Sequence, residues 1–199
     1  MTSSLFPAFP ARSGRHPPEA AAGRGGQVFD VTVEIPRGTR NKYRMERATG
    51  RIRLDRTLFT STQYPADYGF IEDTLGEDGD RLDALVLVQE PTFPGCVIGC
   101  RAIGMFRMRD AGRPDFKVLC VPIADLRLAH LADIDDLEPY HRMEIQHFFE
   151  IYTDLEPGKS VDAEHGVWAG RMEAEREVVQ ARARMATAEA RDDAQEEVR

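Results

Sequence analysis

The chain has 199 residues, of which 42% are hydrophobic and 30% are charged, and its formal net charge is −8. This composition is typical of a globular protein with one core domain and tails. The acidic balance argues against a nucleic-acid-binding module, which normally presents a basic face. No apolar run has the length of a membrane span, and the first ten residues lack the basic and apolar regions of a secretory signal.

Three segments are predicted along the chain. Residues 1–26 are rich in Arg, Gly, Ala and Pro, which indicates a flexible extension; an organellar transit sequence is the alternative. We expect the core domain over residues 27–170 and a C-terminal helix with a charged tail over 171–199. The odd number of cysteines, without a C-x-x-C pair, predicts reduced thiols in a cytoplasmic protein.

The hydrophobic pattern predicts a mainly β, α+β fold. Strands are expected over residues 31–35, 42–47, 51–54, 82–88, 97–108 and 117–121, with an aromatic loop over 57–69. Short turns without intervening helices favour a small antiparallel barrel.

Two helices are expected after the last strand. Asp135 or Asp136 is predicted to cap the first helix, which would run to about Asp154. Trp168 is predicted to begin the second helical pattern, which becomes a solvated helix after Ala181 because apolar residues become scarce.

The segment 77–83, Glu-Asp-Gly-Asp-Arg-Leu-Asp, places four carboxylates within seven residues. Such charges repel one another unless a cation lies among them, and hard oxygen ligands suit Mg²⁺, Mn²⁺ or Ca²⁺. Taken alone, the cluster is more readily explained as a solvated acidic loop. A calcium-binding EF-hand is excluded, because its spacing needs a glycine where Asp83 stands and an Asp or Asn where Leu82 stands.

Cationic and tyrosine side chains elsewhere suggest phosphate chemistry. Metals and basic groups neutralise the oxygens of a phosphoryl group in transfer, and divalent ions acidify a bound water. The chain offers a second acidic loop, several cations and two loop tyrosines for this purpose: Asp110, Asp115, Lys117, Lys42, Arg56, Tyr64 and Tyr68.

Several ordered motifs resemble the soluble family I inorganic pyrophosphatases. They are EIPRGTRNKY (34–43), RIRLDR (51–56), YPADYGF (64–70), EDGDRLDAL (77–85), GMFRMRD (104–110), DFKVLCVP (115–122) and HFFEIYTDLEPGK (147–159). The resemblance covers residues 29–168. It implies Mg²⁺-dependent hydrolysis of pyrophosphate to two phosphates, an OB-like five-stranded barrel with helices packed around it, and a homohexamer.

The resemblance also implies roles for individual residues. The implied metal ligands are all carboxylates: Glu34, Asp78, Asp80, Asp83, Asp110 and Asp115. Asp80 or Asp115 would orient or deprotonate the attacking water. The implied phosphate-binding groups are Lys42, Arg56, Tyr68, Lys117 and Tyr152, with Tyr64 behind them.

Four positions depart from the family pattern: Arg44, Arg81, Ala111 and Thr153. Thr153 stands where a lysine normally follows the tyrosine, so one cation is missing. We hypothesise that Arg44 or Arg81 points into the pocket and partly replaces the missing charge. Two alternatives are a degenerate paralogue that binds pyrophosphate or phosphate without turnover, and an oligonucleotide-binding barrel, which the net charge opposes.

Overall fold

The computed structural model of the chain describes residues 26–158 and 161–196. The extension predicted for residues 1–26 therefore lies, except for Gly26, outside the described residues. The described part is mainly β, with two α-helices. Its elements are β1 Val28–Ile35, β2 Asn41–Glu46, β3 Arg51–Thr57, β4 Asp67–Ile71, β5 Asp83–Val86, β6 Val97–Asp110, β7 Arg113–Pro122, α1 Pro139–Ile151, β8 Val161–Gly170 and α2 Arg171–Glu196.

Five strands form a closed ring in the order β1, β4, β5, β7 and β6, because β6 also pairs with β1. Four of these pairs are antiparallel, whereas β5 and β7 are parallel. The prediction that all strands are antiparallel was wrong at this pair. Since strand directions cannot alternate all the way around a ring with an odd number of strands, at least one pair must be parallel.

The two faces of the ring strands carry separate hydrophobic clusters. On β5, Leu85 belongs to the cluster that α1 covers, whereas its neighbours Ala84 and Val86 belong to the cluster that α2 covers. This alternation follows from the two-residue period of a strand. Burial on both faces explains why β5 is an almost continuous apolar run.

Some strand boundaries differ from the sequence prediction. The predicted aromatic loop ends earlier, because Asp67–Ile71 forms β4 and closes the ring. The strand predicted over 117–121 begins at Arg113, because a tight turn at Ala111 and Gly112 continues the pairing of β6 with β7. Both segments contain polar residues or glycine, so they lack the alternation of apolar residues that predicts a strand.

The helix boundaries also required correction. Glu138, rather than Asp135 or Asp136, caps α1, and Pro139 occupies its first turn, where a proline costs no hydrogen bond. Trp168 lies in β8 rather than in a helix, and the centre of its ring lies 4.9 Å from the centre of the Phe106 ring. No helix within 26–158 and 161–196 is long and apolar enough to cross a membrane.

Gly69 provides a test of the pairing of β4 with β1. A Cβ atom on Gly69 would lie 2.0 Å from the carbonyl oxygen of Thr32, so the strands must separate to admit it. We expect Gly69→Ala to lower the free energy of unfolding by about 2 kcal/mol or more, measured by urea denaturation. Gly99→Ala is the matched control, because the nearest atom to its Cβ would be 3.4 Å away. Equal stability of the two variants would contradict the close approach.

Candidate active site

The parallel pair of strands places Asp83 opposite Lys117, and two residues along β7 from Lys117 lies Asp115. The Lys117 ammonium donates to the carboxylates of Asp83, at 2.5 Å, and of Asp115. The Lys117 side chain is only 5% exposed. One buried cation therefore holds together two carboxylates that come from neighbouring strands.

Burial and charge act in opposite directions on this group. Burial disfavours the ammonium, but the carboxylates of Asp83 and Asp115 outweigh it and hold the pKa of Lys117 above its ordinary value. Burial also raises the pKa of Asp115, which Lys117 only partly offsets, while the charges of Asp83 and Asp78 raise it further. By formal charge, the two carboxylates exceed the single ammonium of Lys117 by one negative charge.

Aromatic side chains line the same cluster. The Tyr68 hydroxyl donates to Asp83, and the Lys117 ammonium lies 5.6 Å from the centre of the Tyr68 ring. Burial, with the charges of Asp83 and Asp115, raises the pKa of Tyr68, so its hydroxyl keeps its proton. Burial raises the pKa of Tyr152, at the end of α1, to about 12. Tyr64 lies behind Tyr68, with ring centres 5.5 Å apart, and burial raises its pKa as well.

The end of β1 and the β2–β3 hairpin bring further charges to the cluster. Glu34 accepts a hydrogen bond from the Met45 amide at 2.6 Å, which ties β1 to the hairpin. Burial raises the pKa of Glu34, and the charge of Asp83 adds to this effect. Burial lowers the pKa of Lys42, and the cations Arg56 and Lys117 lower it further. Lys42 is thus a half-buried cation close to other cations, an arrangement that an anion would stabilise.

Arg56 is oriented by Glu156, a residue that sequence reasoning missed. Its guanidinium donates to both carboxylate oxygens of Glu156, at 2.9 and 2.7 Å. The Glu156 side chain is 6% exposed, and its amide donates to the carbonyl of Thr153 at 2.8 Å. Glu156 lay inside the motif at 147–159, but nothing in its spacing indicated a partner 100 residues away.

The acidic loop is closed by a buried threonine. The Thr74 hydroxyl donates to the Ile71 carbonyl at 2.6 Å and accepts from the Leu82 amide at 3.0 Å. Within the loop, Asp78 accepts from the amide of Asp80 at 3.0 Å. These bonds bring the loop back to β5 and hold Asp78 close enough to Asp115 to affect its pKa.

Asp80 does not join the buried cluster, because its carboxylate pairs with Arg44 at 3.2 Å and Arg47 at 3.3 Å. The side chain of Asp80 is 57% exposed. Asp110 lies at the end of β6, where its charge raises the pKa of Tyr152. The structure therefore links Asp83 and Asp115 through Lys117. Glu34, Asp78 and Asp110 lie within electrostatic reach of this group, and Asp80 lies at the rim.

Arg44 and Arg81, which were expected to replace the missing positive charge, have other partners in the structure. Arg44 contacts Asp80, as described above. The guanidinium of Arg81 lies over the Phe70 ring, 4.4 Å from its centre, and 3.7 Å from Glu72. Thr153, which stands in place of the missing lysine, is buried. Neither arginine forms a hydrogen bond or an ion pair with Thr153, Lys117 or Tyr152 in the described residues. Arg81 nevertheless lines a small cavity together with Asp78, Asp83 and Asp115.

The donor set fits a hard divalent cation. Within 26–158 and 161–196 no three acidic, histidine or cysteine side chains converge closely enough to bind one ion as they stand. Asp83 and Asp115 nevertheless share one ammonium, so the two carboxylates and Lys117 together carry one formal negative charge in excess. Oxygen-only donors of this kind suit Mg²⁺ or Mn²⁺, which retain several water ligands.

Comparisons with known proteins agree with this chemistry. Residues 31–186 match the family described as inorganic pyrophosphatase. The chain belongs to the family I inorganic pyrophosphatases. It is 65% identical over 150 residues to the inorganic pyrophosphatase of Streptomyces coelicolor, covering 75% of this chain and 91% of that protein. The corresponding enzyme of Leifsonia xyli is 51% identical over 154 residues, 77% of this chain and 93% of that one.

The fold comparison gives the same family. The crystal structure of the inorganic pyrophosphatase from Thermus thermophilus matches with a TM-score of 0.77 and 42% sequence identity. The match covers 83% of this chain and 95% of that chain. The structure from Coxiella burnetii matches with the same TM-score at 36% identity, covering 82% of this chain and 98% of that one.

The buried lysine can be tested without a substrate. In Lys117→Met the carboxylates lose their cation, and we expect a loss of about 3–5 kcal/mol of stability at pH 7 in metal-free buffer. The raised pKa of Asp115 would rise further, so stability relative to the wild type should fall as the pH rises from 4 to 7. Urea denaturation of both proteins at several pH values between 4 and 7 measures this difference in the free energy of unfolding.

Lys42→Met is the matched control for that substitution. Burial and neighbouring cations already disfavour the Lys42 ammonium, so its removal should leave the free energy of unfolding unchanged or slightly higher. If both lysine variants lost the same stability at every pH, the role of Lys117 as the countercharge of the cluster would be wrong.

Proposed function

We propose that this chain hydrolyses inorganic pyrophosphate to two phosphates with Mg²⁺, using the cluster around Lys117. The observation that carries the proposal is that Asp83, Asp115 and Tyr68 converge on one buried ammonium in a member of this family. Bound Mg²⁺ would neutralise phosphate oxygens and acidify the attacking water. The proposed ligands are Glu34, Asp78, Asp80, Asp83, Asp110 and Asp115.

The cations Lys42, Arg56 and Lys117 are proposed to bind the phosphate groups. Glu156 fixes the orientation of the planar Arg56 guanidinium. A guanidinium held in this way suits binding to two oxygens of a phosphate. Lys42, whose ammonium is disfavoured by burial, would be stabilised by an anionic substrate. Tyr152 keeps its proton because its pKa is raised, so its hydroxyl can donate a hydrogen bond to a phosphate oxygen. The Tyr68 hydroxyl also keeps its proton but donates it to Asp83, so it would bind phosphate only after leaving that carboxylate.

We favour Asp115 over Asp80 as the group that orients or deprotonates the attacking water. Burial raises the pKa of Asp115, which brings it closer to the range of a general base at neutral pH. Asp80 lies at the rim in two ion pairs, so it would have to leave its arginines before acting.

We further infer that the ring of five strands is an OB-like barrel and that the chain acts as a homo-oligomer, the hexamer that the family resemblance implies. The exposed side chains of Tyr140 and Met143 lie one turn apart on α1 and support self-association. Three free cysteines support a reducing, cytoplasmic location. We also propose that the chain consists of an N-terminal extension (1–26), a core domain (27–170) and a C-terminal helix with a charged tail (171–199).

A degenerate paralogue that binds phosphate without turnover is the second candidate, and the buried Thr153 in place of a lysine favours it. Phosphate release from pyrophosphate by the purified chain, with Mg²⁺ and with a chelator, separates the two functions. We expect Mg²⁺-dependent release that falls about 100-fold or more in Asp83→Ala. Asp135→Ala, an exposed aspartate paired with Arg142, is the control and should retain activity. Binding of pyrophosphate without any release would favour the paralogue.

Glu156 is expected to act on substrate binding through Arg56. In Glu156→Gln the two charge-assisted bonds weaken, which corresponds to about 1.5–3 kcal/mol, so the KM for pyrophosphate should rise about tenfold or more. The change in kcat should be smaller, because the contact acts on bound substrate and transition state alike. Asp55→Asn removes the other carboxylate that contacts Arg56 and is the control. An unchanged KM in Glu156→Gln would contradict this role.

A further inference from the structure

Two arginines already hold the carboxylate of Asp80. Arg44, on β2, lies 3.2 and 3.3 Å from its two oxygens, and Arg47, in the hairpin turn, lies 3.3 Å from one of them. Arg47 also donates to the carbonyl of Gly79, the neighbouring loop residue, at 3.3 Å. Two guanidinium groups therefore converge on one carboxylate that the proposed function needs for metal binding.

The β2–β3 hairpin concentrates positive charge at this point. Between residues 41 and 57 it carries six cationic and two acidic residues, in a chain whose net charge is −8. Arg44 stands directly opposite Arg53 in the pairing, and Arg53 is itself bound to Glu46. The acidic loop lies against this basic hairpin, so the carboxylate of Asp80 has two arginines beside it.

We propose that Arg44 and Arg47 compete with Mg²⁺ for Asp80, so that this pair weakens metal binding at the rim of the site. The inference rests on the proposed function and concerns the regulation of the same site. A cation can use Asp80 only after its carboxylate leaves the guanidinium groups. Once released, the same two groups are free to attract an anionic substrate, so the pair opposes metal binding and favours substrate binding.

The exposure of the Arg44 and Arg47 side chains limits how much they can weaken Mg²⁺ binding. The side chains of Arg44 and Arg47 are 66% and 49% exposed, and a single ion pair in such a position contributes about 0–1 kcal/mol. Both arginines hold the same carboxylate, however, so Mg²⁺ has to displace two ion pairs before it can use Asp80. We therefore expect removal of both to tighten Mg²⁺ binding about three- to tenfold at low salt.

Calorimetric titration of Mg²⁺ into the full-length, metal-stripped protein measures this without substrate. The double variant Arg44→Ala/Arg47→Ala should show the lower Kd for Mg²⁺. Arg53→Ala is the matched control, because it removes an arginine of the same hairpin that is 71% exposed and contacts Glu46 instead of Asp80. Its Kd should stay within about twofold of the wild type.

Asp80→Asn completes a double-mutant cycle. In the Asp80→Asn background, the arginine substitutions should change the Mg²⁺ Kd by less than about twofold, because the contested carboxylate is gone. Equal Kd values for the double variant and Arg53→Ala, or no measurable Mg²⁺ binding by any of the proteins, would overturn the inference. Failure of the proposed function is distinguishable, because it appears as absent phosphate release in a separate assay.

Discussion

The parallel pairing of β5 with β7 is the constraint on which the site depends. It sets Asp83 opposite Lys117, and the position of Asp115 two residues along β7 then brings a second carboxylate to the same ammonium. A ring of five strands must contain at least one parallel pair, and Asp83 and Lys117 lie at that pair. The ammonium of Lys117 lies between two half-buried carboxylates, which together carry one formal negative charge more than it neutralises. The remaining negative charge is what makes this end of the ring suitable for a divalent cation.

Much of this arrangement could be predicted from local sequence patterns. The alternation of Val31, Val33 and Ile35 predicted β1, and the closely spaced carboxylates after residue 76 predicted an acidic loop before a buried strand; both predictions were confirmed. The motifs also gave the family, which the comparisons confirmed. What local patterns could not give was the partner of each side chain. Glu156 contacts Arg56 across 100 residues, because the fold places the segment after α1 against the β2–β3 hairpin.

Two departures from the family pattern add positive charge near the aspartates: Arg44 beside the exposed Asp80, and Arg81 in a cavity that Asp83 and Asp115 also line. Arg44 meets Asp80 rather than the position left neutral by Thr153, and Arg81 stacks on Phe70. The buried group of Lys117 with its two aspartates does not depend on these positions. The ion pairs of Lys117 with Asp83 and Asp115 are therefore present in this chain, with Arg44 and Arg81 as added cations nearby.

The most direct test of this account is the dependence of folding stability on Mg²⁺. A cation that binds the folded cluster and not the unfolded chain should stabilise the protein by about 2.7 kcal/mol when its concentration is 100 times its Kd. The account predicts this gain for the wild type in urea denaturation, and predicts that Asp83→Asn abolishes most of it. An equal free energy of unfolding with and without Mg²⁺ in the wild type would contradict the claim that the carboxylate cluster is a divalent-cation site.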